Sequence, residues 1–373
     1  MDFSLDETQQ GIHSLSKRIL TDLVTEESLR VVGDDYFHTR AWQALAEAGL
    51  LQAALPEDGQ EGGAGPIGLS LLLRQVGRAV APIPALSTLA MAAPAIMSFG
   101  SDEQKRRWLP GVCAGETFLT AALSQADTRL PASPSVRAVV DGSGHKLEGS
   151  CSLVPGLPRA TRVLVPARLD DGIAVFVVDP VAAGVTLSLQ HATNDEPLHD
   201  MKLEAVRAEE MLGDVSQGTA VVQLMARHTS LGVCALLLGV SERALFMTAS
   251  YSAERQQFGK PIGSFQAVGQ RAADAYIDLA AMKVSLWQAA WQLAQGSDGP
   301  QLARALDVAR YWAAEGSQRV VGAAQHIHGG IGFDRDYPVH RSFLWARRLC
   351  FVLGSSGSCL ADLGADLAAE ARE

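Results

Sequence analysis

The sequence predicts an α+β protein: a helical block, then a β block, then a second helical block. Three observations carry this. Up to about residue 120, apolar residues recur at helical spacing. From 121 to 216 the chain breaks into short β-like runs between turn residues. From 217 to 373 long helical periodicity returns. The expected organisation is an N-terminal helical domain (1–120), a middle β domain (121–216) and a C-terminal helical bundle (217–373).

Asp6-Glu7-Thr8 opens the first amphipathic helix, and 40–49 reads as a helix that ends on a glycine. The glycine-rich run 62–68 lacks the Lys-Ser/Thr that completes a phosphate loop, so it is read as a connection. Segment 79–97, rich in Ala and Leu, is expected to be buried. Gly100-Ser101-Asp102-Glu103 gives a helix start, with a capping side chain and acids in the first turn. In the middle block, 163–165 and 173–178 are strands bounded by Asp170-Asp171-Gly172 and Asp179-Pro180. Asp141-Gly142-Ser143-Gly144 is a hairpin turn, and the block reads as a small β-barrel or sandwich. Helices over 218–250, 266–294 and 301–327, with the segment after Val339, make a four-helix bundle.

Charge argues against a nucleic-acid or anionic-membrane partner, because the 373 residues carry a net −10. The five cysteines are odd in number and none has CxxC spacing, which points away from disulfides or a zinc site and towards free thiols. No metal ligand set is read. The acidic start, Met1-Asp2-Phe3-Ser4-Leu5-Asp6-Glu7, has no signal-peptide character. The longest apolar run, 231–240, falls short of the ~20 residues that span a bilayer. A cytoplasmic protein is expected, with no membrane partner.

Two late runs hold the residues suited to a ligand. In the first, Arg255 is an always-charged planar donor for a phosphate, and Gln257, Phe258 and Gln266 add hydrogen bonds and an apolar wall. In the second, Gln325-His326-Ile327-His328-Gly329-Gly330-Ile331-Gly332-Phe333, the glycines allow close approach and positive φ. On the residues alone, a surface arginine and an ordinary interhelical turn remain possible.

Together these runs resemble the two late motifs of the acyl-CoA dehydrogenase family, and the likeness covers essentially the whole chain, including 45–55 and 100–116. The resemblance implies the family's helix–β–helix fold and an FAD cofactor. In the family, these motifs hold the ADP half of an FAD whose ring sits mainly in a neighbouring subunit. On that reading Arg255, Gln257, Phe258, Gln266, His326, Ile327, His328, Gly329 and Gly330 contact FAD. Here His326 stands where relatives carry a glutamine. Ser124 keeps the hydroxyl of the family's flavin loop.

Other family positions differ. Relatives place a glutamate base after the last motif or on the first bundle helix; the matching positions here are Gly354 and Thr229. No Asp or Glu occurs from 215 to 241 or from 337 to 361, so the reading survives any small alignment shift. A carboxylate is what proton removal alpha to a thioester calls for. In the flavin loop, Leu130 replaces the CoA-binding serine. Leu153-Val154-Pro155 stands for the Trp-x-Thr beside the flavin, and Pro155 has no N–H to donate. Ser230 replaces an arginine that supports the acyl pocket. The segment from Asp334 to Ala346 is similar to a subgroup from bacterial steroid catabolism that forms α2β2 heterotetramers with fewer active sites than chains. Asp334 and Asp336 are expected to pair with Arg335, Arg341 or Arg347.

The resemblance thus implies a subunit of an acyl-CoA dehydrogenase without a catalytic residue of its own. It would lend ADP-side contacts to a homologous partner that binds a CoA thioester, steroid-derived in that subgroup. Two other readings stay open at this point. One is a self-sufficient homotetramer with an unrecognised base; the other is a flavin-free structural or binding member.

Overall fold

The computed structural model describes residues 4–33, 36–55, 64–125, 133–142, 144–208, 210–352 and 354–370. Its helices are α1 (Glu7–Leu23), α2 (Glu26–Arg30), α3 (Thr39–Glu47), α4 (Leu50–Ala53), α5 (Gly65–Ala79), α6 (Ala93–Phe99), α7 (Asp102–Cys113), α8 (Gly218–Glu254), α9 (Gln266–Ala294), α10 (Pro300–His328), α11 (Val339–Val352) and α12 (Ser355–Glu370). Between α7 and α8 lie β1 (Leu119–Ala121), β2 (Arg137–Asp141), β3 (Gly144–Pro155), β4 (Arg162–Arg168), β5 (Ile173–Val178), β6 (Val185–His191), β7 (Pro197–Arg207) and β8 (Glu210–Leu212). The helix–β–helix order expected from the pattern is therefore the order observed.

By contact the chain forms two compact units. One gathers Val32–Gly65 and Pro82–Thr229; the other gathers Met1–Val31, Pro66–Ala81 and Ser230–Glu373.

The first unit is built on an eight-stranded sheet of order β6-β7-β3-β2-β4-β5-β8, with β1 beside β4. Pairing is antiparallel except that β1 and β2 run parallel to β4. Strands β4 and β5 are buried along nearly their whole length, so they read as continuous apolar runs rather than alternating ones. The β2–β3 hairpin closes between Asp141 and Gly144, with Gly142 at φ +63°; the expected turn residue Ser143 lies outside the described residues. Segment 86–92 is a π-helical turn entering α6, almost wholly buried as its composition implies. Ser101 caps α7 in a capping box with Gln104, an arrangement worth about 1 kcal/mol.

The second unit holds the long helices. By length and composition α8 could cross a membrane, more than the run 231–240 alone indicates, but 78% of its most apolar window is buried inside the protein. Backbone meets backbone where α5 crosses it. A Cβ on Gly77 would lie 2.1 Å from the Leu236 carbonyl oxygen, and one on Gly239 would lie 1.9 Å from that of Arg74. This approach sets Arg74 against Glu242 in a two-pronged ion pair of 2.9 and 2.5 Å. The start of α5 at Gly65 also corrects the reading of 62–68 as connection throughout; residues 62 and 63 lie outside the described residues.

Short α2 ties into the same unit. Glu26 binds Arg243 of α8 at 2.5 Å and Arg341 of α11 at 3.1 Å. Arg30 pairs with Asp336 at 3.1 Å. The expected pairing is thus corrected: Asp336 finds an arginine from far upstream, and Arg341 is taken by Glu26. Asp334 accepts the backbone N–H of Asp336.

Candidate functional site

At one end of the helical unit the second run packs against the helix turn that leads into the first. Tyr251, in the last turn of α8, stacks on His328, in the last turn of α10, with ring centroids 4.5 Å apart. Tyr337 closes the group, 5.2 Å from His328 and 6.2 Å from Tyr251.

Just beyond Tyr251 the chain makes a tight hairpin, β9 (Gln256–Gln257) against β10 (Lys260–Pro261). Its central residues, Phe258 and Gly259, both have positive φ, +54° and +79°. That is the backbone of a type I′ turn, which costs a side-chain-bearing residue about 1–2 kcal/mol. Phe258 adopts it with its side chain 92% exposed. A large apolar ring held in a strained turn and aimed at water is spent for nothing in the isolated fold, so an external partner is the natural reason for it. Phe265 sits edge-on to Phe258 at 6.1 Å, and the Lys260 ammonium lies 4.5 Å from the Phe265 ring centre. Arg255 is exposed and has no ion pair among the described residues; Gln257 and Gln266 are exposed beside it in sequence.

On the facing run, His326, Gly329 and Gly330 are exposed, Ile327 is half-buried and His328 is buried. Gly329 ends α10 at φ +63°, and its N–H bonds to the carbonyls of Gln325 and His326. Beneath the turn, His328 donates Nδ1–H to the Ala324 carbonyl at 2.8 Å, which leaves Nε2 as an acceptor. Burial lowers its pKa, so the ring is neutral near pH 7. That Nε2 and the buried Gln325 Oε1 have no hydrogen-bond partner. Two orphaned acceptors under a glycine turn fit a polar ligand with donors of its own.

Ser124 lies in the sheet unit, exposed, its carbonyl accepting the Ser152 N–H at 2.9 Å. Leu130 and the rest of 126–132 lie outside the described residues. Leu153 has φ +54° and donates its N–H to Asp200 at 2.9 Å. The carbonyl of Pro155 accepts the Thr120 hydroxyl at 2.7 Å.

Thr229 and Gly354, which the resemblance matches to the family's base positions, are not acidic. Thr229 is buried and turns its hydroxyl back to Met225 of its own helix at 2.7 Å. Gly354 sits between α11 and α12 at φ +80°, a conformation that disfavours any side chain. Glu242, farther along α8, is committed to Arg74. Sequence reasoning missed one buried group here: His228 beside Thr229, with Nδ1 unpartnered and its pKa lowered by burial to about 4. None of the five cysteines forms a disulfide, and among the described residues no group of three His, Cys, Asp or Glu gathers as a metal site would need.

A fold with this element order, carrying these two runs on adjoining helix ends, defines the class: the chain belongs to the acyl-CoA dehydrogenase family. The family's N-terminal domain matches residues 6–116 and its C-terminal domain residues 216–367. Among individual relatives, the chain is similar to acyl-CoA dehydrogenase FadE27 of Mycobacterium tuberculosis, 37% identical over 99% of each chain. FadE28 of the same organism is 35% identical over 87% of this chain and 91% of its own. Among solved structures, a chain of a variant of the Tcur3481-Tcur3483 steroid ACAD superposes with a TM-score of 0.91 at 39% identity, covering 98% of this chain and 99% of that one. A chain of the ChsE4-ChsE5 complex from Mycobacterium tuberculosis gives 0.91 at 36% identity, over 99% of both.

Proposed function

We propose that this chain is the non-catalytic subunit of a heteromeric, FAD-dependent acyl-CoA dehydrogenase, and that it grips the ADP portion of a flavin seated mainly in a homologous partner. The observation that carries the reading is the stack of Tyr251 on His328, which packs the second run against the helix turn that leads into the first. In this reading Arg255 takes the pyrophosphate by charge-assisted hydrogen bonds. Phe258 covers an apolar face of the nucleotide, and Gln257 and Gln266 supply donors. His326, Ile327, His328, Gly329 and Gly330 form a turn against the adenosine. Ser124 is assigned to the flavin loop of this chain's own cleft.

FAD, when bound, supplies the hydride acceptor. Removal of the thioester's alpha proton needs a carboxylate in a dry pocket, and neither Thr229 nor Gly354 provides one. That base, and most of the acyl-CoA contacts, are assigned to the partner. One similar solved structure is described as a steroid ACAD and both pair two named components, which supports a steroid-derived substrate and a heteromeric partner. The CoA thioester and the α2β2 stoichiometry are part of the proposal itself. The domain limits 1–120, 121–216 and 217–373 belong to the same proposal, and so does a cytoplasmic location.

The test is to purify the full chain alone and together with a homologous subunit carrying the glutamate, and to measure bound flavin and desaturation of a CoA thioester. Flavin and turnover are expected only from the pair; full flavin and turnover from this chain alone would overturn the reading. A self-sufficient enzyme has one observation in its favour, the neutral and unpartnered imidazole of His228. If the chain alone turns over and H228Q abolishes that turnover without loss of folding, this second reading replaces the first.

A further inference from the structure

A helix as short as α2 does not stand by propensity alone, so what it grips decides why it forms. Thr25 and Ser28 close a reciprocal capping box at its start, Thr25 N–H to Ser28 Oγ at 2.9 Å and Ser28 N–H to Thr25 Oγ1 at 3.1 Å. Glu26 and Arg30 are one turn apart and share one face of the helix. Both reach the segment 336–341, between the second late run and α11. Arg30 holds the Asp336 carboxylate at 3.1 Å and the Asp336 carbonyl at 3.4 Å. Glu26 holds Arg341 at 3.1 Å through one oxygen and Arg243 of α8 at 2.5 Å through the other.

Tyr337 lies inside that span, between Asp336 and Arg341. The short helix thus grips the chain on both sides of the ring that closes the aromatic group, 5.2 Å from His328 and 6.2 Å from Tyr251. Of the two grips Glu26 is the stronger. Its side chain is 34% exposed, that of Arg243 19% and that of Arg341 25%, within this chain alone; contact with another subunit can only bury them further. A lone surface pair adds about 0–1 kcal/mol. Here one carboxylate serves two guanidinium groups, which keep their charge at any physiological pH. Burial opposes the charge on Arg243, and Glu26 offsets that cost. Among the described residues neither arginine has another ion pair. Without the carboxylate two cations would face each other, largely shielded from water, and would push α11 away from α8.

We propose that Glu26 is a positioning residue for the cofactor turn. By neutralising Arg243 and Arg341 together it draws the start of α11 to α8, and so keeps Tyr337 against His328, whose following glycines meet the adenosine. Its purpose rests on the FAD reading; its geometry lies wholly within this chain.

Two measurements separate this role from an ion pair that only stabilises the fold. The first needs no cofactor: near-ultraviolet circular dichroism of the full chain alone, where the tyrosine bands report ring packing. E26Q should lose the part of that signal that Y337A loses, and E26Q/R341Q, which removes the repulsion, should recover most of it. The second is flavin retention by the complex with the homologous subunit. E26Q should weaken it roughly tenfold, Y337A at least as much, and E26Q/Y337A no more than Y337A alone, because both changes act through one ring. If E26Q does not fold, R341Q takes its place with the same expected pattern against Y337A. An unchanged tyrosine signal or unchanged flavin retention in E26Q would overturn the proposal, as would losses that add in the double variant. If the wild-type complex holds no flavin, the cofactor reading falls instead, and the tyrosine signal still decides whether Glu26 sets Tyr337.

Discussion

An arginine with no carboxylate neighbour keeps all its donors for an incoming phosphate. Arg255 is such a residue, exposed and without an ion pair among the described residues. Charge-assisted bonds of this kind contribute about 2–3 kcal/mol, so R255A should weaken flavin retention in the assembled enzyme by roughly 30–150-fold. Absorbance near 450 nm after gel filtration measures it, and full retention would remove Arg255 from the site. Phe258 separates binding from folding. Its ring packs little and its φ is strained, so F258G should shift stability by less than about 1 kcal/mol while lowering flavin affinity. Matched melting curves and flavin titrations would show the split. Both residues were legible as motif members in the sequence. The positive φ at Phe258 was not, because a Phe-Gly pair is a weak turn signal beside Asn-Gly or Asp-Gly.

At the scale of elements, the crossing of α5 over α8 is held open by Gly77 and Gly239. A methyl on Gly239 would enter the Arg74 carbonyl oxygen, so the helices must part and the Arg74–Glu242 pair must stretch. G239A is expected to cost about 2–3 kcal/mol, read as a lower urea midpoint. Helix α8 also carries the buried His228. Burial drops its pKa from 6.5 to about 4. The unfolded chain therefore takes the proton first, so stability is complete above about pH 6.5 and declines as pH falls towards 4. The gap corresponds to roughly 3 kcal/mol. His13, His199 and His328 shift in the same direction, burial being the leading cause for each. Urea midpoints at pH 7.5 and 5 should differ markedly in the wild type and less in H228Q; an equal difference in both would show that His228 is not desolvated. Helix α9 was readable to the residue because its period is regular and Gly263-Ser264-Phe265 precedes it. The glycine crossing was not readable, since a glycine inside an apolar helix looks the same whether it faces a backbone or a side chain. The partners of Asp336 and Arg341 were misread for a related reason. Ion pairs follow tertiary proximity, and α2 is more than 300 residues from Asp336 along the chain.

For the whole molecule, the informative quantity is the number of flavins per chain. Periodicity made the three-block fold legible, because each block differs from the next in its hydrophobic period. The meeting of Tyr251 with His328 was not legible, since it joins the ends of helices that only the packed bundle brings together. That junction makes a count meaningful, because the proposed ADP contacts flank it. If they serve a neighbour's flavin while this chain's own cleft seats none, a complex of equal numbers of the two subunits should hold roughly one flavin for every two chains. A self-sufficient homomer should hold one per chain. The chain alone should then show no rise in melting temperature with added FAD, because a ligand stabilises only the folded state it binds. Spectral flavin content against protein concentration, taken on the isolated chain and on the purified complex, decides between them. A ratio near one in the isolated chain would mean that the cleft missing an acidic base still seats its own cofactor, and the division of labour between subunits would have to be abandoned.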